Sequence, residues 1–157
     1  IPIGEGDVLR AGTDVTIVAT SWMNVEALQA AVILERHGIS AEVIDPRTIA
    51  PFDDALIVAA VNKTGHCVVA DNDWLHCGFS AEVAARVSEK CFGALKSPVT
   101  RIGFAPTPCP TVRVLEDRFY PNAFDIVAAV TAKLGAPEAD LAGEELYSHE
   151  KKFFGPF

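Results

Sequence analysis

Apolar and polar positions along the chain fall into two alternating kinds of block. Val15 to Ala19 (VTIVA) is a β-branched run without a charge, the composition of a strand buried on both faces. An Ala-rich stretch follows from about Val25 to His37, in which Val25, Leu28, Val32 and Glu35 share one helical face and Gly38 stands where the helix stops. Ala41 to Asp45 (AEVID) reads as a second strand. Pro46 and Pro51 then mark a loop, and Asp53 is placed to cap a helix running to about Asn62, ahead of Gly65. The unit repeats with a third strand at His66 to Asp71 (HCVVAD), a third helix at Ser80 to Phe92 and a fourth strand at Val99 to Phe104 (VTRIGF). Pro106, Pro108 and Pro110 predict an extended loop, and a last helix spans about Pro121 to Leu134 before Gly135.

Strands alternating with helices of this length imply parallel strands joined by right-handed crossovers, with helices on both sheet faces. The fold class is therefore α/β, a three-layer α/β/α arrangement with a mostly parallel sheet. Asp7 to Arg10, just before Gly12, predicts one antiparallel edge strand, folding as a hairpin into Val15. From Ala136 onward Glu, Asp and Gly dominate, and aromatic residues return at Tyr147, Phe153, Phe154 and Phe157. The expected organisation is one domain over residues 1–135 and a C-terminal tail over residues 136–157.

Composition narrows the function classes. A chain of 157 residues, half of them apolar and 22% charged, can bury one core and offset the cost of ordering itself. No apolar run approaches the roughly 20 residues of a membrane-spanning helix, so a soluble protein is expected. A net charge of -8 argues against binding a phosphate backbone, which needs clustered Lys and Arg; neither nucleic acid nor a membrane is an expected partner. An acidic surface keeps a protein soluble or steers it toward basic protein surfaces. The cysteines at 67, 77, 91 and 109 lack metal-knuckle and redox-pair spacing and are expected as buried small apolar residues of a reducing compartment. With no basic-then-apolar leader, cytoplasm or an organelle matrix is the expected location.

Open α/β sheets bind ligands beyond the carboxyl ends of their strands. The turn after the first long strand, Thr20-Ser21-Trp22-Met23-Asn24, has no glycine and so no phosphate-cradling loop. Asp45 and Asp71 end strands, where helix capping or pairing with Arg47 accounts for them. Ser21, His76 and Asp71 lack the strained G-x-S-x-G elbow of a serine nucleophile. The most mixed stretch is Asp71 to Phe79 (DNDWLHCGF), where His76 can act as acid or base near neutral pH. Trp74 and Leu75 are otherwise expected to cover a helix edge, with Gly78 supplying a turn. On the residues alone, one reading is a stand-alone α/β small-molecule-binding domain using this loop and the end of the second strand. Another is a thiol redox module built on Cys77 or Cys109.

Three longer segments, Gly12 to Asp53, Lys63 to Val87 and Ser97 to Pro121, carry a family resemblance. Its most specific elements are Asp14-Val15-Thr16, the run Glu42-Val43-Ile44-Asp45-Pro46-Arg47-Thr48 with Pro51 and Asp53, Gly78-Phe79 with Glu82, Thr107-Pro108, Leu115-Glu116 and Tyr120-Pro121. In this order they resemble the C-terminal (transketolase C-terminal-like) domain of the β subunit of thiamine-diphosphate-dependent 2-oxo acid dehydrogenases, over about Ile1 to Leu134.

The resemblance implies an assembly and docking domain of the decarboxylating component, of pyruvate, branched-chain or acetoin type. In that family the catalytic glutamate and histidine lie in a preceding pyrimidine-binding domain, and the α subunit holds thiamine diphosphate and magnesium. Ile1-Pro2-Ile3-Gly4 resembles the junction into the C-terminal domain, so the chain is expected to be a fragment, inactive alone, with no catalytic, cofactor-binding or metal residue of its own. Implied partners are a second β subunit and the α subunit in an α2β2 assembly, and the basic peripheral-subunit-binding domain of the acyltransferase, for which an acidic partner makes electrostatic sense. Expected locations become the cytoplasm or, in a eukaryote, the mitochondrial matrix.

Candidate interface residues are Trp74, His76, Phe79, Lys96, Glu116, Tyr120, Phe153, Phe154 and Phe157. Lys96 stands where pyruvate-type relatives commonly carry an acidic docking contact, so this contact has the opposite charge here. Cys77 stands where many relatives have glycine.

Overall fold

In a computed structural model, which describes residues 2–145, a five-stranded sheet is covered on both faces by helices. The elements in chain order are β1 (Asp7–Arg10), β2 (Val15–Ala19), α1 (Met23–Arg36), β3 (Ala41–Asp45), α2 (Asp54–Thr64), β4 (Cys67–Ala70), α3 (Phe79–Lys90), β5 (Thr100–Ile102), α4 (Arg113–Glu116) and α5 (Ala123–Leu134). The sheet order is β1-β3-β2-β4-β5. β2 pairs in parallel with β3 and β4, β4 in parallel with β5, and β1 antiparallel with β3. This is the mostly parallel three-layer architecture with one antiparallel edge strand that the alternation predicts.

The edge strand does not form a hairpin with β2. Both edges of β2 are taken by β3 and β4, so β1 adds instead to the free edge of β3, with Asp7 opposite Asp45 and Val8 opposite Ile44. The link between β1 and β2 crosses the start of β3, where the Thr13 and Asp14 amides donate to Ser40 O and the Ser40 amide donates to Asp14 Oδ2 at 2.7 Å. Gly12 makes this crossing possible, since a Cβ there would lie 2.2 Å from the Ala41 carbonyl carbon.

Side chains alternate between two cores. Ile17, Val43, Val68 and Ala70 face α1 and α5, whereas Val18, Ile44, Cys67 and Val69 face α2 and α3. α1 buries Met23, Ala27, Ala30, Ala31, Ile33 and Leu34; Val32 is exposed and Glu35 pairs outward with Arg10. The row Val25, Leu28, Val32 and Glu35 is thus not the core stripe, because the small alanines let this face approach the sheet.

Helix ends follow local chemistry. Asp53 Oδ1 accepts from Leu56 N at 3.1 Å as the cap of α2. Asn122 and Asp125 form a reciprocal capping box on α5. α2 and α5 stop at Gly65 and Gly135.

Two segments differ from expectation. The Pro-rich stretch contains the short helix α4, whose turn closes by bonds from Leu115 N and Glu116 N to Val112 O. Beyond α5, Ala136, Ala139 and Leu141 pack on the core beside α1, and Glu144 pairs with Arg36. Tyr147, Phe153, Phe154 and Phe157 lie outside the described residues.

Candidate functional site

The carboxyl ends of β2, β3 and β4 open on a cleft of ≈ 680 Å³. Its position follows from the topology. β2 leads into α1 on one face, while β3 and β4 lead into α2 and α3 on the other, and diverging connections leave a crevice. The turn after β2 contributes Thr20, Ser21 and Asn24; the end of β3 contributes Asp45 and Arg47; the end of β4 contributes Asp71, Asn72 and Asp73; and Phe79 supplies an apolar wall.

Asp71 is the most buried carboxylate in the cleft lining. It is 7% exposed; Oδ1 accepts from the Thr20 hydroxyl, and Oδ2 has no hydrogen-bond partner in the protein. Asn24 Oδ1 and Asn72 Oδ1 are likewise unpartnered, so three of the four unsatisfied buried side-chain oxygens among the described residues line this one cleft. Each such group costs about 1–3 kcal/mol relative to its hydrated state. The backbone shows the same concentration. Ser21 (φ 50°) and Arg47 (φ 57°) are left-handed, as is Cys77 (φ 59°) in the loop between Asp73 and Phe79. Left-handed non-glycine residues are uncommon and cluster at functional positions.

Neither aspartate at the strand ends caps a helix, and neither pairs with the Arg47 side chain. Asp45 Oδ1 accepts from the Arg47 backbone N–H at 2.9 Å, the local reach typical of Asp two residues upstream, and the Arg47 guanidinium bonds Asp7 Oδ2 at 2.6 Å. α3 takes Gly78 as its N-cap.

A second feature lies beside the cleft. Phe104 stacks on Phe119 with centroids 4.8 Å apart; Trp74 meets both rings edge-on at 5.6 Å, and Tyr120 meets them at 5.3 and 5.0 Å. Trp74 thus belongs to an aromatic cluster rather than covering a helix edge. The loop carrying it is pressed onto the chain after β5, where Phe104 N donates to Asp73 O and a Cβ on Gly103 would lie 2.5 Å from that oxygen. Phe119 is buried, whereas Trp74, Tyr120, Val112, Val114 and Leu115 are exposed. The Tyr120 hydroxyl sits 3.7 Å from Cys109 Sγ, and that contact holds the phenol above its usual pKa.

Glu26 is the other buried carboxylate at this end of the molecule. Oε1 accepts from Trp22 Nε1 at 3.0 Å and Oε2 from Ala123 N at 2.8 Å, joining α1 to the first turn of α5. Burial raises its pKa above the ordinary carboxylate value, opposed by these two hydrogen bonds.

Residues 4–126 match the family described as the transketolase C-terminal domain. The chain belongs to this family. It is 38% identical over 137 residues to the acetoin:2,6-dichlorophenolindophenol oxidoreductase subunit beta of Bacillus subtilis (strain 168), covering 87% of this chain and 40% of that protein. It is 42% identical over 135 residues to the mitochondrial pyruvate dehydrogenase E1 component subunit beta of Mus musculus, covering 85% of this chain and 38% of that protein. Among solved structures, a split gene transketolase described as an inactive β4 tetramer superposes with a TM-score of 0.77 at 34% identity, covering 86% of this chain and 44% of that one. The chain therefore spans about two fifths of the length of the curated relatives it matches.

As a transketolase C-terminal domain, the chain has a cleft whose donor set does not fit a diphosphate. Asp45, Asp71 and Asp73 line it, and its one cationic lining side chain, Arg47, is engaged by Asp7. Among the described residues no three His, Cys, Asp or Glu side chains are grouped to hold a metal ion, and no helix is long and apolar enough to cross a membrane.

The residues expected at interfaces are dispersed. Trp74, Glu116 and Tyr120 fall on or beside the aromatic cluster, and His76 is exposed in the loop next to it. Phe79 faces the cleft and meets Phe52 edge-on at 5.4 Å. Lys96 lies at the other end of the sheet, its ammonium donating to Thr64 O at the end of α2 at 3.2 Å. Phe153, Phe154 and Phe157 are outside the described residues. Sequence reasoning passed over Phe104, Phe119, Asn24, Asn72 and Glu26; only the aromatic pair Phe119-Tyr120 offered a signal. The cysteines divide. Cys67 and Cys91 are buried with raised pKa values, that of Cys67 pushed up to about 12 by desolvation, while Cys77 and Cys109 are exposed on a left-handed turn and in the Pro-rich loop.

Proposed function

We propose that this chain is an assembly and docking domain of the β subunit of a thiamine-diphosphate-dependent 2-oxo acid dehydrogenase, of pyruvate, branched-chain or acetoin type. It contributes interface surface to the decarboxylating component rather than catalytic groups. The observation that carries this reading is the apolar face around α4. Val112, Val114 and Leu115 are 58%, 70% and 56% exposed, and their turn joins the aromatic cluster through Glu116 O, which accepts from the Phe119 and Tyr120 amides; Trp74 and Tyr120 in that cluster are about 40% exposed. Large aliphatic side chains around half-buried aromatic anchors are the composition of an interface core. A β4 tetramer, named for the split gene transketolase, supports association through β subunits.

The partners in this reading are a second β subunit and the α subunit, with thiamine diphosphate and magnesium bound by the parent enzyme outside this domain. The net charge of -8 suits the basic peripheral-subunit-binding domain of an acyltransferase as a third partner. The Lys96 ammonium is engaged at the end of α2, so docking relies on acidic groups elsewhere. The parent enzyme works in the cytoplasm or, in a eukaryote, the mitochondrial matrix.

Light scattering after size-exclusion chromatography, on the chain alone and mixed with a candidate α subunit, tests the reading together with a thiamine diphosphate titration. Self-association or α binding without cofactor binding is expected, and Val114→Asp with Leu115→Asp should weaken it about tenfold or more. A chain that stays monomeric in every mixture, or that binds thiamine diphosphate alone, overturns it.

A further inference from the structure

The assembly reading gives no role to the cleft beyond β2, β3 and β4. Its inner end holds a carboxylate that is almost completely buried, yet one oxygen of Asp71 is unpartnered and the other is bound only by the Thr20 hydroxyl. A buried charge persists only when something balances it. The neighbouring unpartnered groups, Asn24 Oδ1 and Asn72 Oδ1, are also acceptors. A group that supplies several donors and carries positive charge would complete all three acceptors at once.

Three observations narrow the occupant. Asp45 and Asp73 join Asp71 in the lining while Arg47 is engaged by Asp7, which disfavours phosphates and carboxylates. A cleft of ≈ 680 Å³ has the dimensions of a small-molecule site rather than the cage of a single ion. Phe79 and Ile49 provide apolar surface within reach of the same cleft, suited to a short hydrocarbon chain.

We propose that this cleft binds a small organic cation, an alkyl ammonium or guanidinium compound, whose N–H groups meet Asp71 Oδ2 and the side-chain oxygens of Asn24 and Asn72. The cationic head neutralises Asp71, and its carbon chain lies along Phe79. The residues named all belong to this chain, so the titration below reads the cleft separately from the assembly proposed above.

Agmatine and putrescine are suitable probes, with 1,4-butanediol as the uncharged counterpart of putrescine. Each is titrated into the 157-residue chain at low ionic strength, following the backbone amide resonances of Ser21, Asn72 and Asp73 by NMR and the heat of binding by calorimetry. Saturable shifts are expected with both cations, and binding of the diol should be weaker by about tenfold or more. Asp71→Asn should weaken binding of the cations by about tenfold or more while the melting temperature holds or rises. Asn72→Ala gives a second reading through loss of one acceptor, expected at about threefold to tenfold. Equal binding of the diol, undiminished binding by both variants, or no saturable shift with either amine overturns the proposal. Saturation of the same resonances by potassium or magnesium chloride alone also overturns it, in favour of an inorganic cation.

Discussion

The two ends of the sheet differ in how many of their buried polar groups are paired. At the amino end of the parallel strands, the Thr16 and Thr64 hydroxyls lie 2.9 Å apart in the core, and Thr64 also reaches the carbonyls of Ala60 and His66. Nearby, Lys133 donates to Ser97 Oγ and Pro98 O, and His66 Nδ1 contacts Ser97 Oγ. At the carboxyl end, Asn24, Asp71 and Asn72 keep unpartnered oxygens, and Ser21 and Arg47 hold left-handed backbone. The first end pairs most of its buried polar groups, with Glu42 Oε2 beside Thr16 the exception, whereas the second keeps three unpartnered oxygens in one cleft, at a cost in stability.

Glu26 offers the severest way to break this contrast, since it lies at the carboxyl end and has both oxygens paired. Glu26→Ala removes the acceptor of the buried Ala123 amide and should cost about 2–3 kcal/mol by urea denaturation. Its titration has a definite sign. The folded-state pKa is raised above 4.5, so between 4.5 and the folded value the unfolded chain loses the proton first and stability falls as pH rises. Glu26→Gln removes that slope, and the difference between wild type and variant should shift in favour of the variant from about pH 4 to neutrality. An unchanged difference would refute the assigned burial.

Thr64→Val tests the scaffold end. It leaves the buried Thr16 hydroxyl without its Thr64 partner and should cost about 2 kcal/mol. A loss below about 0.5 kcal/mol would mean that the network is not a stabilising one.

The smallest effect is expected at Cys77, whose φ of 59° is a conformation that glycine adopts without a steric penalty. Cys77→Gly should raise stability by about 0.5–1 kcal/mol after the larger backbone entropy of the unfolded glycine is offset. A loss of stability would show that the side chain is held by contacts worth more than the strain.

The layers were legible because they rest on short-range rules. The uncharged β2 run, the Asp53 cap and the terminal glycines of α2 and α5 each encode their own element. The place of β1 was not legible, since the Asp7 to Arg10 pattern says only that a strand forms, and the occupied edges of β2 decide where it pairs. The useful face of α1 was hidden for a related reason: alanines carry little hydrophobic signal but allow the closest packing. For the site, the strand-end rule pointed to Asp45 and Asp71, while Asn24 and Asn72 look like ordinary turn residues until the chain brings them to one cleft. The aromatic cluster joins residues from three separate stretches, and no local pattern links Trp74 to Phe104 and Phe119.

The placement of β1 also governs how copies of this sheet can meet. A bare edge strand is a template on which another chain can add hydrogen bonds without limit. Here one edge is β1, broken by a bulge between Val8 and Arg10 and flanked by the charged pairs Asp7–Arg47 and Arg10–Glu35. The other is β5, three residues long with an exposed Arg101 at its centre. Fibre-like growth through continuous sheets is disfavoured at both margins, so the domain can carry a sticky aromatic face and still form closed, side-chain-mediated contacts.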